Sequence, residues 1–226
     1  MRDWFAWKII RADGFLALSG SLRKTVIDRS IDMKQKYLQD ASLLEQALKE
    51  EPENGINVFY LAMSYDLVSD WESALKNYER CVCLRGDELQ IFASMYRIGF
   101  MQERLGFPFH QVVHSYLEAF QFRTTRPEPI FCLVNYFMKI DGCFLGYLLL
   151  KFALFVPRIN DYFSSRSSLY DYELFSQFAE CAYKTGRYDE SYVALTQVLQ
   201  SKNLPPDFRR TITQSLPALH ALASNE

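Results

Sequence analysis

The sequence predicts an all-α fold, a solenoid of stacked helical hairpins behind a short irregular or β-containing N-terminal segment. Three observations carry this. Apolar residues recur at spacings of three and four through most of the chain, the signature of amphipathic helices. A helix–turn–helix pattern returns several times along the sequence, which marks a repeat architecture. The 226 residues are 49% hydrophobic and 15% aromatic, enough to bury a core as one domain or one short array.

Taken in order, residues 1–32 form a segment apart, in which WFAWKII reads as a strand or as an apolar flap capping the array. Trp4, Phe5 and Trp7 would be an association hazard if exposed. The helical region spans 33–220, with 221–226 as a tail. It starts with KYLQDASLLEQALKEEPEN, a lone second helix closed by Pro52. The clearest hairpin follows. Leu61, Ala62 and Tyr65 mark one face of its first helix, Ala74, Tyr78 and Cys81 mark one face of its second, and Asp70 N-caps the second after a turn at Val68–Asp70. A copy from Phe92 to Phe122 aligns with a few residues inserted near Gly106. Another carries Leu133, Val134 and Phe137, a turn at Asp141–Gly142, then Gly146, Leu150 and Ala153, with Pro157 as the stop. The stretch from Pro157 to Glu173 has no sustained helical period and reads as an ordered irregular loop anchored by Tyr162, Phe163, Tyr170 and Tyr172. The last copy places Phe175, Phe178, Ala179 and Ala182 before a turn at Gly186, then Ser191, Leu195 and Val198.

These residues resemble the tetratricopeptide (TPR) pattern of a large residue, Leu, a small residue and Tyr on the first helix, then Ala, an aromatic and a small residue on the second. The resemblance implies a right-handed superhelix, whose small residues admit close helix approach while aromatics fill the wedges between hairpins. Equivalent positions Leu61, Met95, Leu133 and Phe178 are separated by 34, 38 and 45 residues. Only the first spacing is ideal, and the lengthening is expected in the connections.

A more specific resemblance covers about residues 27–206. DASLLEQALKEEPEN, VFYLAMSYDLVSDWESALKNYERCV, MYRIGFMQERLG, SYLEAFQFRTTRPEP and YDYELFSQFAECAYKTGRYDESY, in that order, resemble the C-terminal helical region of bacterial family 2 glycosyltransferases. In that family a nucleotide-sugar-binding α/β domain precedes the helices. AWKIIRAD aligns with the family's Trp-x-Gly-Val-x-His-Glu segment, keeping Trp7 but placing Ile9, Ala12 and Asp13 at the Gly, His and Glu positions. IDRSIDMKQKY keeps Arg29, Ser30, Lys36 and Tyr37 of a later family string. The resemblance thus implies a bacterial scaffold whose catalytic domain is absent. The residues agree: no βαβ succession precedes Asp32 and no Asp-x-Asp occurs to hold a metal on a diphosphate.

Other chemistry is sparse. Lys+Arg number 25 against 27 Asp+Glu, so the chain lacks the basic field of a nucleic-acid binder. Lys8, Arg11 and Asp13 interrupt any signal-peptide core. The most apolar run, Cys143–Val156, contains Lys151 and is too short to span a bilayer, which reads as a buried helix. The five scattered cysteines fit a reducing cytoplasm. His110, His114 and Glu118 have zinc-compatible spacing but map to a solvated helix face, and Cys81 and Cys83 point apart on one helix. No phosphate-binding glycine loop or nucleophile elbow occurs, so neither a catalytic residue, a metal site nor a cofactor is assigned.

Arg123 and Arg126 in FRTTRPEP form a possible anion contact, against the simpler role of tying one hairpin to the next. The residues expected to face a concave groove are Phe59, Met63, Asp66, Arg97, Phe131, Asn135, Met138, Glu180 and Tyr183. Aromatic, Met and isolated charged side chains suit a protein or peptide ligand. The expected function is a non-catalytic interaction or scaffold module. The alternative is the helical part of a glycosyltransferase acting with a separate catalytic domain.

Overall fold

A computed structural model of the protein describes residues 20–84, 86–157 and 168–224, with side chains from Met33 onward. The segment holding Trp4, Phe5 and Trp7 lies outside the described residues, as do Tyr162, Phe163 and the side chains of Arg29 and Ser30. Among the described residues the fold is all-α. Ten α-helices follow one another: α1 (Gly20–Glu50), α2 (Gly55–Leu67), α3 (Trp71–Cys83), α4 (Glu88–Arg104), α5 (Phe109–Phe122), α6 (Glu128–Lys139), α7 (Cys143–Ala153), α8 (Leu174–Lys184), α9 (Tyr188–Gln200) and α10 (Pro206–Ala223). They fall into two compact units, α1–α4 and α5–α10, divided between Phe107 and Pro108.

The hairpins are made by one repeated local device. Ser69, Gly106, Asp141 and Gly186 all adopt left-handed backbone, with φ of 65, 74, 59 and 79°. The next residue then donates its N–H back into the preceding helix: Asp70 to Tyr65 O at 3.0 Å, Phe107 to Gln102 O at 2.9 Å, Gly142 to Phe137 O at 2.8 Å and Arg187 to Ala182 O at 2.9 Å. This Schellman-type ending satisfies a terminal carbonyl, and at Ser69, Asp141 and Gly186 it reverses the chain within three residues. Asp70 caps α3 as expected, accepting from Ser73 N at 3.2 Å. Asn54 caps α2 and Asp87 caps α4 in the same way.

Four residues beyond that N–H donor, Ala74, Gly146 and Ser191 are small and buried at the helix crossing. Ser191 Oγ donates to Ala179 O at 2.8 Å, so α9 lies directly on the backbone of α8. The first helices share a buried pattern. Val58, Phe59, Leu61 and Ala62 of α2 recur at the same offsets as Ile130, Phe131, Leu133 and Val134 of α6.

Four expectations are corrected. Residues 20–32, placed in an irregular segment, are the first turns of α1. Part of the lengthening between Met95 and Leu133 lies within a helix, because α4 has 17 residues where α2 has 13. The end of the supposed loop is helical too: Leu169–Glu173 form a π-helical turn that runs directly into α8, with Leu169 buried. The final helix also reaches Ala223, three residues into the stretch read as a tail.

Candidate protein-docking faces

In the first unit the docking positions lie on α2 and α4. Phe59 is only 3% exposed and its ring meets Tyr78 edge-on at 6.3 Å. It belongs to the core and not to a docking face, because α2 is covered by α1 on one side and α3 on the other. Met63 is half-buried. Asp66 is buried among polar partners: Tyr78 Oη donates to its Oδ2 at 3.1 Å, and the Arg97 guanidinium forms an ion pair with the same oxygen. Burial holds the Tyr78 phenol well above its usual pKa, with smaller contributions from Tyr96 and Cys81. Arg97 keeps a partly exposed side chain and lies over the Phe100 ring at 4.7 Å. One carboxylate therefore joins α2, α3 and α4, and the charges expected to greet a ligand neutralise each other.

The second unit places its positions on α6 and α8. Phe131 is 3% exposed, a second correction with the same cause as Phe59. The backbone carbonyl of Phe131 accepts from the buried Gln177 Nε2 at 3.1 Å, which ties α6 to α8. Asn135, Met138 and Tyr183 are half-buried and present part of their side chains to solvent. Glu180 is nearly buried and pairs with Lys184 at 3.0 Å, one helical turn on. Burial pulls the Lys184 ammonium down, but the hydrogen bond and charge of Glu180 outweigh it and the net pKa is raised.

Arg126 is corrected as an anion contact. It is 1% exposed, one of the largest fully buried side chains, and its Nε lies 3.4 Å from Glu128 Oε1 at the start of α6. A guanidinium sealed in and paired this way anchors the α5–α6 connection. Arg123 caps the end of α5 and is half-buried. His110 and His114 are exposed, and His114 lies 3.8 Å from the exposed Glu118. Among the described residues no group of three or more His, Cys, Asp or Glu is placed to hold a metal ion. No described helix is long and apolar enough to cross a membrane.

Tyr78 and Gln177 were not singled out as polar anchors by sequence reasoning. The signal was present for Tyr78, since a Tyr on a packing face must find an acceptor for its hydroxyl when buried. For Gln177 no local pattern announces a partner 46 residues away.

Small residues at the crossings, left-handed turns and recurring first-helix stripes define a helical-hairpin repeat fold of the TPR-like class. No protein-family model matches the chain, and no curated protein matches it. Solved structures do. The crystal structure of MamA protein has a TM-score of 0.55 at 15% identity over 77% of this chain and 86% of its own. TTC0263, a thermophilic TPR protein in Thermus thermophilus, has a TM-score of 0.55 at 17% identity over 83% of this chain and 99% of its own. At such identities the likeness is one of fold.

Proposed function

We propose that the protein is a non-catalytic interaction module that docks apolar segments of a partner protein on its first-helix faces. The observation that carries this is how those faces are composed. The charged positions, Asp66 with Arg97 and Glu180 with Lys184, are paired within the protein. The partly exposed remainder, Met63 in one unit and Asn135, Met138 and Tyr183 in the other, offers adaptable thioethers, an aromatic ring and an amide. Such a surface favours a peptide with apolar side chains over an acidic or basic one. The TPR-like fold supports this reading, since stacked hairpins present their first helices as binding surface.

The ordered strings that resemble the glycosyltransferase helical region support a second reading, in which the bound partner is a separate nucleotide-sugar-binding domain. One experiment addresses both. Tagged wild-type chain and a Met138→Ala/Tyr183→Ala variant are used for capture from native lysate, with partners identified by mass. The variant is expected to keep its thermal midpoint within a few degrees and to lose at least about 90% of the specific partner, because truncating contact residues of this kind removes about 1–2 kcal/mol or more each. Unchanged recovery by the variant rejects the docking assignment. Recovery of a nucleotide-sugar-binding protein, lost in the variant, selects the transferase reading.

A further inference from the structure

A different surface, on the second helix of a hairpin, carries a stripe of exposed apolar side chains. Along α7 and the turn that follows it, Phe144, Leu145, Leu148, Phe152 and Phe155 are 53, 50, 47, 60 and 82% exposed. Phe144, Leu148, Phe152 and Phe155 follow at spacings of four, four and three, so they line one stripe about 16 Å long. Sequence reading takes this run as a buried helix. The structure buries only its other side, where Cys143, Gly146, Tyr147, Leu150 and Ala153 pack within the hairpin array. Phe120 of α5 extends the patch, meeting the Phe152 ring edge-on at 6.1 Å.

We infer that this stripe is a homodimer interface, in which α7 packs antiparallel against α7 of a second copy. Three observations favour a copy of the same chain. First, the stripe is symmetric about Leu148, with Phe144 one turn before it and Phe152 one turn after. An antiparallel pair then sets Leu148 against Leu148 at the two-fold axis and Phe144 of each copy against Phe152 of the other, the reciprocal pattern an isologous contact requires.

Second, Lys151, the one charged residue of α7, is already neutralised. Its Nζ pairs with Glu190 Oε2 at 3.2 Å and donates to Tyr147 Oη at 3.0 Å. A second cation beside the stripe, Arg187, lies over the Phe144 and Tyr147 rings at 5.9 and 4.6 Å, far less positive charge than the clusters of about four to eight basic residues that select an anionic lipid surface. Third, the area is right. The three phenylalanines alone expose about 300–500 Å², taking about 150–250 Å² for a whole aromatic side chain. A standard interface buries about 800 Å² per partner, of which its apolar share is about 500 Å². With Leu145 and Leu148 added, the stripe supplies that share.

The test is a charge-complementation experiment on the full chain. Leu148 is half exposed, so Leu148→Lys and Leu148→Glu leave the hairpin core intact, and circular dichroism melts verify it. Sedimentation equilibrium is expected to give wild-type protein at twice the 26.5 kDa chain mass at micromolar concentration. Each variant brings two like charges together at the axis and should raise the dimer dissociation constant at least about thirtyfold. An equimolar mixture of the two variants should dimerise again, because Lys then meets Glu. Wild-type protein that stays at 26.5 kDa at every concentration overturns the proposal. So does a Leu148→Lys variant that associates as wild type does, or a variant mixture that remains monomeric.

Discussion

Gly146 shows how little room a repeat crossing leaves. A Cβ added there would stand 2.9 Å from Val134 Cγ1 and 3.2 Å from Cys181 Sγ, closer than side chains tolerate. Gly146→Ala gains up to about 1 kcal/mol in helix propensity but overpacks the crossing by about 1–3 kcal/mol. A net loss of about 1–2 kcal/mol is expected in urea unfolding, and a gain would show that α7 can shift away from α6 and α8. The Asp66–Arg97 pair is the polar counterpart. Arg97→Met leaves a buried carboxylate with Tyr78 and no cation, which should cost about 1–3 kcal/mol after discounting for the partial exposure of Arg97. A double-mutant cycle with Asp66→Asn should return a coupling above about 1 kcal/mol. Additivity within experimental error would mean that the pair is decorative. Phe59 and Phe131 are the residues whose role the sequence misassigned. Spacing places a residue on an arc of a helix, but it does not say how wide the buried part of that arc is. A first helix flanked on both sides buries a wide one, so positions beside the main stripe are lost to solvent.

At the level of elements, turns were the most legible feature and helix lengths the least. Gly186, the Asp141–Gly142 pair and Val68–Asp70 were readable because left-handed backbone favours a short list of residue types. The extra turn of α4 and the π-helical turn before α8 were not readable, since both continue a helix through residues with no distinctive propensity and are settled by packing. Ser69 and Asp141 hold the same left-handed conformation that Gly106 and Gly186 hold without steric cost. Ser69→Gly should therefore relieve about 1–2 kcal/mol of strain, offset by about 0.4–1 kcal/mol of added freedom in the unfolded chain. The expected result is a gain of about 0.5–1 kcal/mol in unfolding free energy. Destabilisation instead would mean that the Ser69 side chain contributes something its backbone angle does not reveal.

Across the whole molecule, both units bury groups whose ionisation the fold resists. In the first unit burial raises the Cys81 thiol, and the Tyr78 phenol is raised as described. Tyr65 is pushed up to about 12, chiefly by its hydrogen bond to Glu45 at 2.5 Å and then by burial. In the second unit burial raises Cys181, helped by the neighbouring Cys143 and Glu180. Every one of these groups has a folded pKa above its unfolded value, so the unfolded chain releases its proton first. Their stabilising effect is complete below about pH 8, where both states remain protonated. As pH rises past about 9 for the thiols and about 10 for the phenols, the unfolded state binds fewer protons than the native one and stability falls. The buried groups Tyr78, Cys81 and Cys181 each steepen that fall by up to about 1.4 kcal/mol per pH unit, while the half-buried Tyr65, whose hydrogen bond to Glu45 is open to solvent, contributes less through screening. Urea midpoints are thus expected to stay level from pH 7 to 8 and to drop steadily from pH 9 to 11. Cys181→Ala should lower stability at pH 7 through lost packing while making the decline between pH 9 and 10 shallower than in wild type. Parallel curves for the two proteins would show that the thiol carries no part of the alkaline sensitivity.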